Sequence, residues 1–315
     1  MSRVRFELIP DGVQEKEVSV NGISTQYWEI GDGEPLVFVH GGGPGSDAIA
    51  NWFSVLPRFA ARGFRAIAVN MLGFGIGNFP PPGNAVYPEP AFAYDVDSRC
   101  RHLLATIDVL GLDRVCLVGN SMGGSSSLRL CMLAPDRVRR MVLMGSGGLP
   151  LNMENLQKAA VNYDYTIEGM RTVVNSLNRG IPLDEETEAA IIRHRHALTL
   201  IPENEMARKA MLTAAIDAGS PDYIHLLDRD DIAAVKTETL LIHGRHDDIV
   251  PPSVGLQLHA LLDNSWFVAF PDTGHWTMLQ SPDSFVDLCS WFLTTPTLHA
   301  TSEPPLLQPT AGDLV

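Results

Sequence analysis

The chain has 315 residues, enough for one large α/β domain or two smaller ones, and 45% of them are hydrophobic, so a sizeable core is available. With 37 acidic against 23 basic residues and a formal net charge of −14, it lacks the clustered lysines and arginines that nucleic-acid phosphates require. No stretch approaches membrane-spanning length and Met1-Ser2-Arg3-Val4-Arg5 carries no apolar signal-type run, so the expectation is a soluble, cytoplasmic enzyme with neither nucleic-acid nor membrane partners. Cys100, Cys116, Cys131 and Cys289 show no C-x-x-C or zinc spacing; Cys116 and Cys131 lie in apolar elements and read as buried thiols.

Residues 14–30 predict a hairpin, with Val18 and Val20 alternating with polar neighbours and Asn21-Gly22 as the turn. Leu36 to Val39 is a buried strand running into His40-Gly41-Gly42-Gly43-Pro44-Gly45, where successive glycines can bring bare backbone N–H groups against a ligand oxygen. Phe64 to Val69 is the next strand, and the Pro-rich stretch Phe79 to Pro90 is a loop. A helix is expected over Ala91 to Leu110, then a strand at Val115 to Val118, a helix from Gly124 to Ala134, and a strand at Met141 to Met144. From Leu149 to about Ser220 strand-like runs vanish and helical segments replace them. The sheet pattern then resumes with strands at Thr239 to His243 and Trp266 to Phe270 and helices at Ser253 to Leu262 and Pro282 to Leu293. Such alternation indicates βαβ units on a mostly parallel sheet. The expected division is an α/β core of 1–148 and 221–294, a helical lid over 149–220, and a disordered tail over 295–315.

Between the strand at 115–118 and the following helix stands Gly119-Asn120-Ser121-Met122-Gly123. A G-x-S-x-G on a sharp strand-to-helix turn holds its serine in strained backbone geometry on top of the sheet, beneath the N-terminus of a helix. A serine hydroxyl is a weak nucleophile and needs a base with an orienting acid. Two other strands end on the same rim. One runs into Arg245-His246-Asp247-Asp248, the other into Asp272-Thr273-Gly274-His275-Trp276, giving the chain order Ser121, Asp247 or Asp248, His275. The oxyanion formed by attack on a carbonyl would meet the N–H of Met122 and that of Gly42 or Gly43.

Over residues 15–294 the sequence resembles the α/β-hydrolase superfamily, and within it the meta-cleavage-product hydrolases, which split carbon–carbon bonds in 2-hydroxy-6-oxo-hexa-2,4-dienoates. The resemblance rests on His40-Gly-Gly-Gly-Pro-Gly45 with Asn51, Gly119-Asn-Ser-Met-Gly-Gly124, Leu143-Met-Gly-Ser-Gly-Gly148, Gly244-Arg-x-Asp247-x-x-Val-Pro251 and Gly274-His-Trp276. It implies Asp247 rather than Asp248 as the acid. It also implies a lid arginine for the dienoate carboxylate and 2-oxo group; in Arg193-His194-Arg195-His196 the register favours Arg195, with Asn51, Asn120 and Trp276 completing the substrate shell. Asn70 stands where relatives often carry Asp, and Asn78 where Ser is common. No cofactor is implied. His194, His196, His243 and His246 lack metal-ligand spacing, so no metal is expected. The expected partner is a small molecule with a carboxylate/2-oxo end, and the expected assembly a homodimer or higher homo-oligomer.

The alternative enzyme reading is a carboxylesterase or lactonase using the same triad. A non-catalytic binding protein on the same fold is the third, opposed by the complete Ser-Asp-His set.

Overall fold

The computed structural model describes residues 8–81, 83–87, 94–150, 163–179, 181–217 and 226–296. The tail expected to be disordered falls, from 297 onward, outside the described residues, as do 88–93 of the Pro-rich stretch and first helix and 151–162 and 218–225 of the inserted region.

Among the described residues eight strands form one sheet: β1 (Gln14–Val20), β2 (Ile23–Ile30), β3 (Glu34–Val39), β4 (Phe64–Val69), β5 (Val115–Asn120), β6 (Val138–Met144), β7 (Glu238–Gly244) and β8 (Ser265–Phe270). Their spatial order is β1-β2-β4-β3-β5-β6-β7-β8. β1 pairs β2 and β2 pairs β4 antiparallel, and every other neighbour is parallel. The hairpin turn at Asn21-Gly22 has φ of 52° and 77°, the left-handed pair that a two-residue hairpin favours. All six residues of β5 are buried, because helices cover both faces of a parallel sheet.

Those helices are α1 (Ala48–Trp52), α2 (Leu56–Ala60), α3 (Val96–Val109), α4 (Met122–Leu133), α5 (Ile167–Leu177), α6 (Glu185–Thr199), α7 (Pro202–Asp217), α8 (Arg229–Ala234), α9 (Pro252–Leu261), α10 (Thr277–Gln280) and α11 (Pro282–Thr294). From β3 the chain steps one way to β4 through α1 and α2; from β4 it crosses back over β3 to β5 and continues to β6 in the other direction. Right-handed crossovers running in opposite directions must put their helices on opposite faces. The switch point, where the ends of β3 and β5 lie side by side, opens a crevice at the C-terminal rim.

α3 begins at Val96, later than Ala91, because the Asp95 side chain accepts from Ser98 N and caps it. α4 begins at Met122 rather than Gly124, the chain passing from Ser121 straight into the helix. α5, α6 and α7 enter between β6 and β7; Thr166 caps α5, Asp184 caps α6, and α6 packs on α1 beside the crevice.

Candidate active site

Ser121 sits between the last residue of β5 and the first of α4 with φ 56° and ψ −116°, a conformation that L residues avoid and a tight turn can enforce. The two glycines around it have no room for a side chain. A Cβ on Gly119 would lie 2.5 Å from Gly123 O, and one on Gly123 would lie 2.1 Å from Val39 O. Met122, as the first helical residue, has no intrahelical acceptor for its N–H.

Asp247 follows β7 and His275 follows β8, neighbouring parallel strands whose ends are adjacent. His275 Nδ1 lies 2.8 Å from Asp247 Oδ2, and both side chains are buried. The other carboxylate oxygen accepts from Ile249 N and Val250 N, each at 2.9 Å, so Asp247 is held from both sides. Asp248 instead pairs with Arg179 at 2.9 Å on the surface.

Ser121, Met122, His275, Gly42, Gly43, Asn51, Asn120, Arg195 and Trp276 all line one cavity of about 150 Å³; Asp247 stands behind His275. The glycine loop is fastened beneath it. His40 accepts from Met71 N through Nε2 at 3.0 Å, and its Nδ1 lies 2.7 Å from Gly41 O. Burial holds the His40 ring down to about 4, so at neutral pH it is the uncharged linker these bonds require. Asn51 accepts from Gly41 N at 3.3 Å and donates to Asn120 Oδ1 at 3.4 Å, while Asn120 donates to Met144 O at 3.1 Å. Gly42 and Gly43 face the cavity beyond that point.

Arg195 is 2% exposed, whereas Arg193 is exposed. Its Nη2 donates to Pro44 O at 2.8 Å and to Ser46 Oγ at 3.0 Å, and Ser46 in turn donates to Gly42 O at 2.7 Å. The guanidinium lies over the Trp276 ring, 5.4 Å from its centroid. Burial lowers its pKa to about 10, partly offset by Asp47, so it stays charged at neutral pH. Its Nε–H is buried with no acceptor among the described residues. This is a cation with donors to spare, in the same cavity as a strained serine and an Asp-backed imidazole.

The model of the alpha/beta hydrolase fold matches residues 34–282. The chain belongs to that family. Within it, this hydrolase is a member of the meta-cleavage product group. It is 34% identical over 282 residues to the 2-hydroxy-6-oxo-6-(2'-aminophenyl)hexa-2,4-dienoic acid hydrolase of Metapseudomonas resinovorans, a match covering 89% of this chain and 91% of that protein. It is 35% identical to the 2-hydroxy-6-oxo-2,4-heptadienoate hydrolase of Pseudomonas putida, over 88% of this chain and 95% of that one. A solved meta-cleavage product hydrolase from Pseudomonas fluorescens superposes with a TM-score of 0.77 at 31% identity, covering 88% of this chain and 97% of that one.

The hydrolase site also contains residues that sequence reading did not single out. Ser46 links Arg195 to the glycine loop, and Asp47 Oδ2 lies 2.9 Å from His194 Nε2. Asp47 carried a signal, since an Asp before Ala48-Ile49-Ala50 reads as a helix cap, but nothing local pointed to a partner 147 residues away. Asn70 and Asn78 prove to be structural. Asn70 accepts from Ala48 N and donates to Gln26, and Asn78 donates to Asn70 O at 2.6 Å. The four histidines weighed as metal ligands go separate ways: His194 to Asp47, His196 to Tyr163, His243 against Phe267, and His246 beside Asp272.

Proposed function

We propose that this hydrolase cleaves the C5–C6 bond of 2-hydroxy-6-oxo-hexa-2,4-dienoate-type ring-fission products of aromatic degradation, with Ser121 as nucleophile. The observation that carries the reading is the buried guanidinium of Arg195 opening onto the cavity that holds Ser121 and His275. A planar cation with unused donors matches a carboxylate next to a 2-oxo group. With that end held, shifting a proton from the 2-hydroxyl to C5 turns the dienol into a vinylogous diketone, and C5 becomes a stabilised leaving group. Ser121 adds to the C6 carbonyl, its proton passing to His275, whose Nδ1 faces Asp247. The N–H groups of Met122 and Gly42 or Gly43 receive the oxyanion, and Asn51, Asn120 and Trp276 surround the dienoate. Collapse breaks C5–C6, and the departing dienolate takes the proton back from His275, leaving the imidazole neutral. Water, deprotonated by His275, then releases the C6 acid from the serine. The helices between β6 and β7 act as a lid.

The test is absorbance bleaching of a panel of ring-fission dienoates with alkyl and aryl C6 substituents, beside simple aryl esters. Wild type should bleach dienoates. Arg195→Ala should lose about 100-fold or more in kcat/KM on them, as expected when a buried charged contact is removed, and keep ester turnover. Ester turnover without bleaching by wild type would instead identify a carboxylesterase.

A further inference from the structure

Helix α5 gives Val173 and Leu177 to the cavity wall, and just past its C-terminus the chain is tied to the loop that bears His275. One side chain makes most of that tie. Gln280, the last residue of α10 and 9% exposed, points its amide into the junction. Its Oε1 accepts from Gly274 N at 2.8 Å. Its Nε2 lies 3.2 Å from Asn178 O, 3.0 Å from Arg179 O and 2.6 Å from Ile181 O, three carbonyls sharing two protons. Two backbone bonds complete the joint: His275 N donates to Leu177 O at 3.0 Å, and Ile181 N to Asp272 O at 2.7 Å. The surfaces meet so closely that a Cβ on Gly274 would come within 2.6 Å of Arg179 O.

We propose that Gln280 is a positioning residue for His275, fastening the peptide before the imidazole to the exit of the helix that lines the substrate cavity. This rests on the reading of His275 as general base. Asp247 holds the ring by Nδ1 alone, so the ring could pivot there, and the place of Nε2 relative to Ser121 depends on where the backbone of 274–275 sits. Leu177 thus both faces the substrate and holds the His275 backbone, so the inserted helices and the base move as one body at this end. The exposed Arg179–Asp248 pair across the same joint, with side chains 64% and 45% exposed, adds little. A glutamine suits the position because it offers an acceptor and donors at once. A carboxylate would keep the Gly274 bond and face three carbonyl oxygens without a proton.

The experiment compares wild type with Gln280→Ala and Gln280→Glu in the full chain, reading the second-order rate of Ser121 labelling by a fluorophosphonate together with kcat and KM on a dienoate. Both variants should label about 10- to 100-fold more slowly and lose kcat by the same factor, with KM within about twofold, as for a misplaced base. Folded variants that label at the wild-type rate, or that raise KM alone, overturn the proposal. If the variants do not fold, hydrogen exchange on wild type decides. The amides of Gly274, His275 and Ile181 should exchange with protection within about threefold of one another, since they open as one unit. Exchange of Ile181 more than about 100-fold faster than Gly274 would overturn it. The two readings fail separately. Wild-type labelling without dienoate bleaching removes the carbon–carbon assignment and leaves this inference intact, whereas an unlabelled wild-type Ser121 removes His275 as its base and this inference with it.

Discussion

His194 Nε2 lies 2.9 Å from Asp47 Oδ2, with both side chains buried. The bond joins the cap of α1 to the turn of α6 that carries Arg195, so the distance between the arginine and the glycine loop is set by a neighbour in sequence on each side. Asp47 also accepts from Ala50 N at 2.9 Å through its other oxygen.

Asp47→Ala removes a helix cap and the buried bond to the His194 imidazole. The expected loss of unfolding free energy is about 2 to 4 kcal/mol, the sum of a cap and a lost buried hydrogen bond to a charged group. With Arg195 no longer braced, KM on a dienoate should rise about tenfold, equivalent to some 1.4 kcal/mol of binding. Asp47→Asn retains the cap and should recover about 1 kcal/mol of the stability. Urea unfolding and steady-state kinetics on both variants check this; an unchanged KM in Asp47→Ala would disconnect the pair from the arginine.

The adjacent carboxylates Asp247 and Asp248 should behave oppositely. Asp247→Asn keeps an acceptor for Ile249 N and Val250 N but turns an amide toward His275 Nδ1, favouring the wrong tautomer. Loss of kcat by about 10⁴-fold is the precedent for such a change in a serine triad. Asp248→Asn weakens a surface pair with Arg179 and should leave kcat within about twofold and stability within about 1 kcal/mol. Equal losses from the two variants would refute the assignment.

The contrast between these residues shows what could be read from the chain. Strand ends advertise themselves, because an apolar run stops at a glycine-bearing loop, and Ser121, Asp247 and His275 each lie within a few residues of such a stop. Arg195 came from the family resemblance, and the register of α6 separated it from Arg193, which two residues earlier must face the other side. Helix starts were less legible: a single carboxylate, Asp95, moved the start of α3 to Val96 against the apolar pattern. Gln280 and the Asp47–His194 bond had no local signature at all. The carbonyls that Gln280 Nε2 meets, and the histidine that Asp47 meets, lie about 100 residues or more away, and only folding brings groups together at that separation.

Asn51 stands at the junction of the glycine loop and the elbow, bonded to Gly41 N on one side and to Asn120 on the other. Asn51→Ala leaves a buried N–H and a buried amide oxygen unpaired, at an expected cost of about 2 kcal/mol. The loop then loses the bond that sets where Gly42 and Gly43 present their N–H groups. A fall in kcat of about 10- to 100-fold is expected, smaller than removal of an oxyanion donor itself, which costs on the order of 100- to 1000-fold. Kinetics with an aryl ester separate this from dienoate binding: the ester rate should fall as well, and an unchanged ester rate would show that Asn51 serves the dienoate end alone.

His102 lies far from the cavity and should contribute to acid sensitivity. His102, buried in α3, has Nε2 2.9 Å from Thr25 Oγ1, and burial pushes its pKa down to about 4 from 6.5. Because the folded-state value is the lower one, the unfolded chain takes up the proton first. The advantage of the neutral ring is therefore intact above pH 6.5 and is lost as pH falls through the window down to about 4. At about 1.4 kcal/mol per unit, this one group carries an acid-side loss on the order of 3 kcal/mol. His102→Gln can still bond Thr25 and does not titrate. At pH 7 it should be less stable than wild type by about 1 kcal/mol for imperfect packing. Between pH 6 and 4 it should lose less stability than wild type, closing or reversing the gap. Chemical denaturation at a series of pH values measures both, and parallel curves for the two proteins would show that His102 is not among the groups that drive acid unfolding.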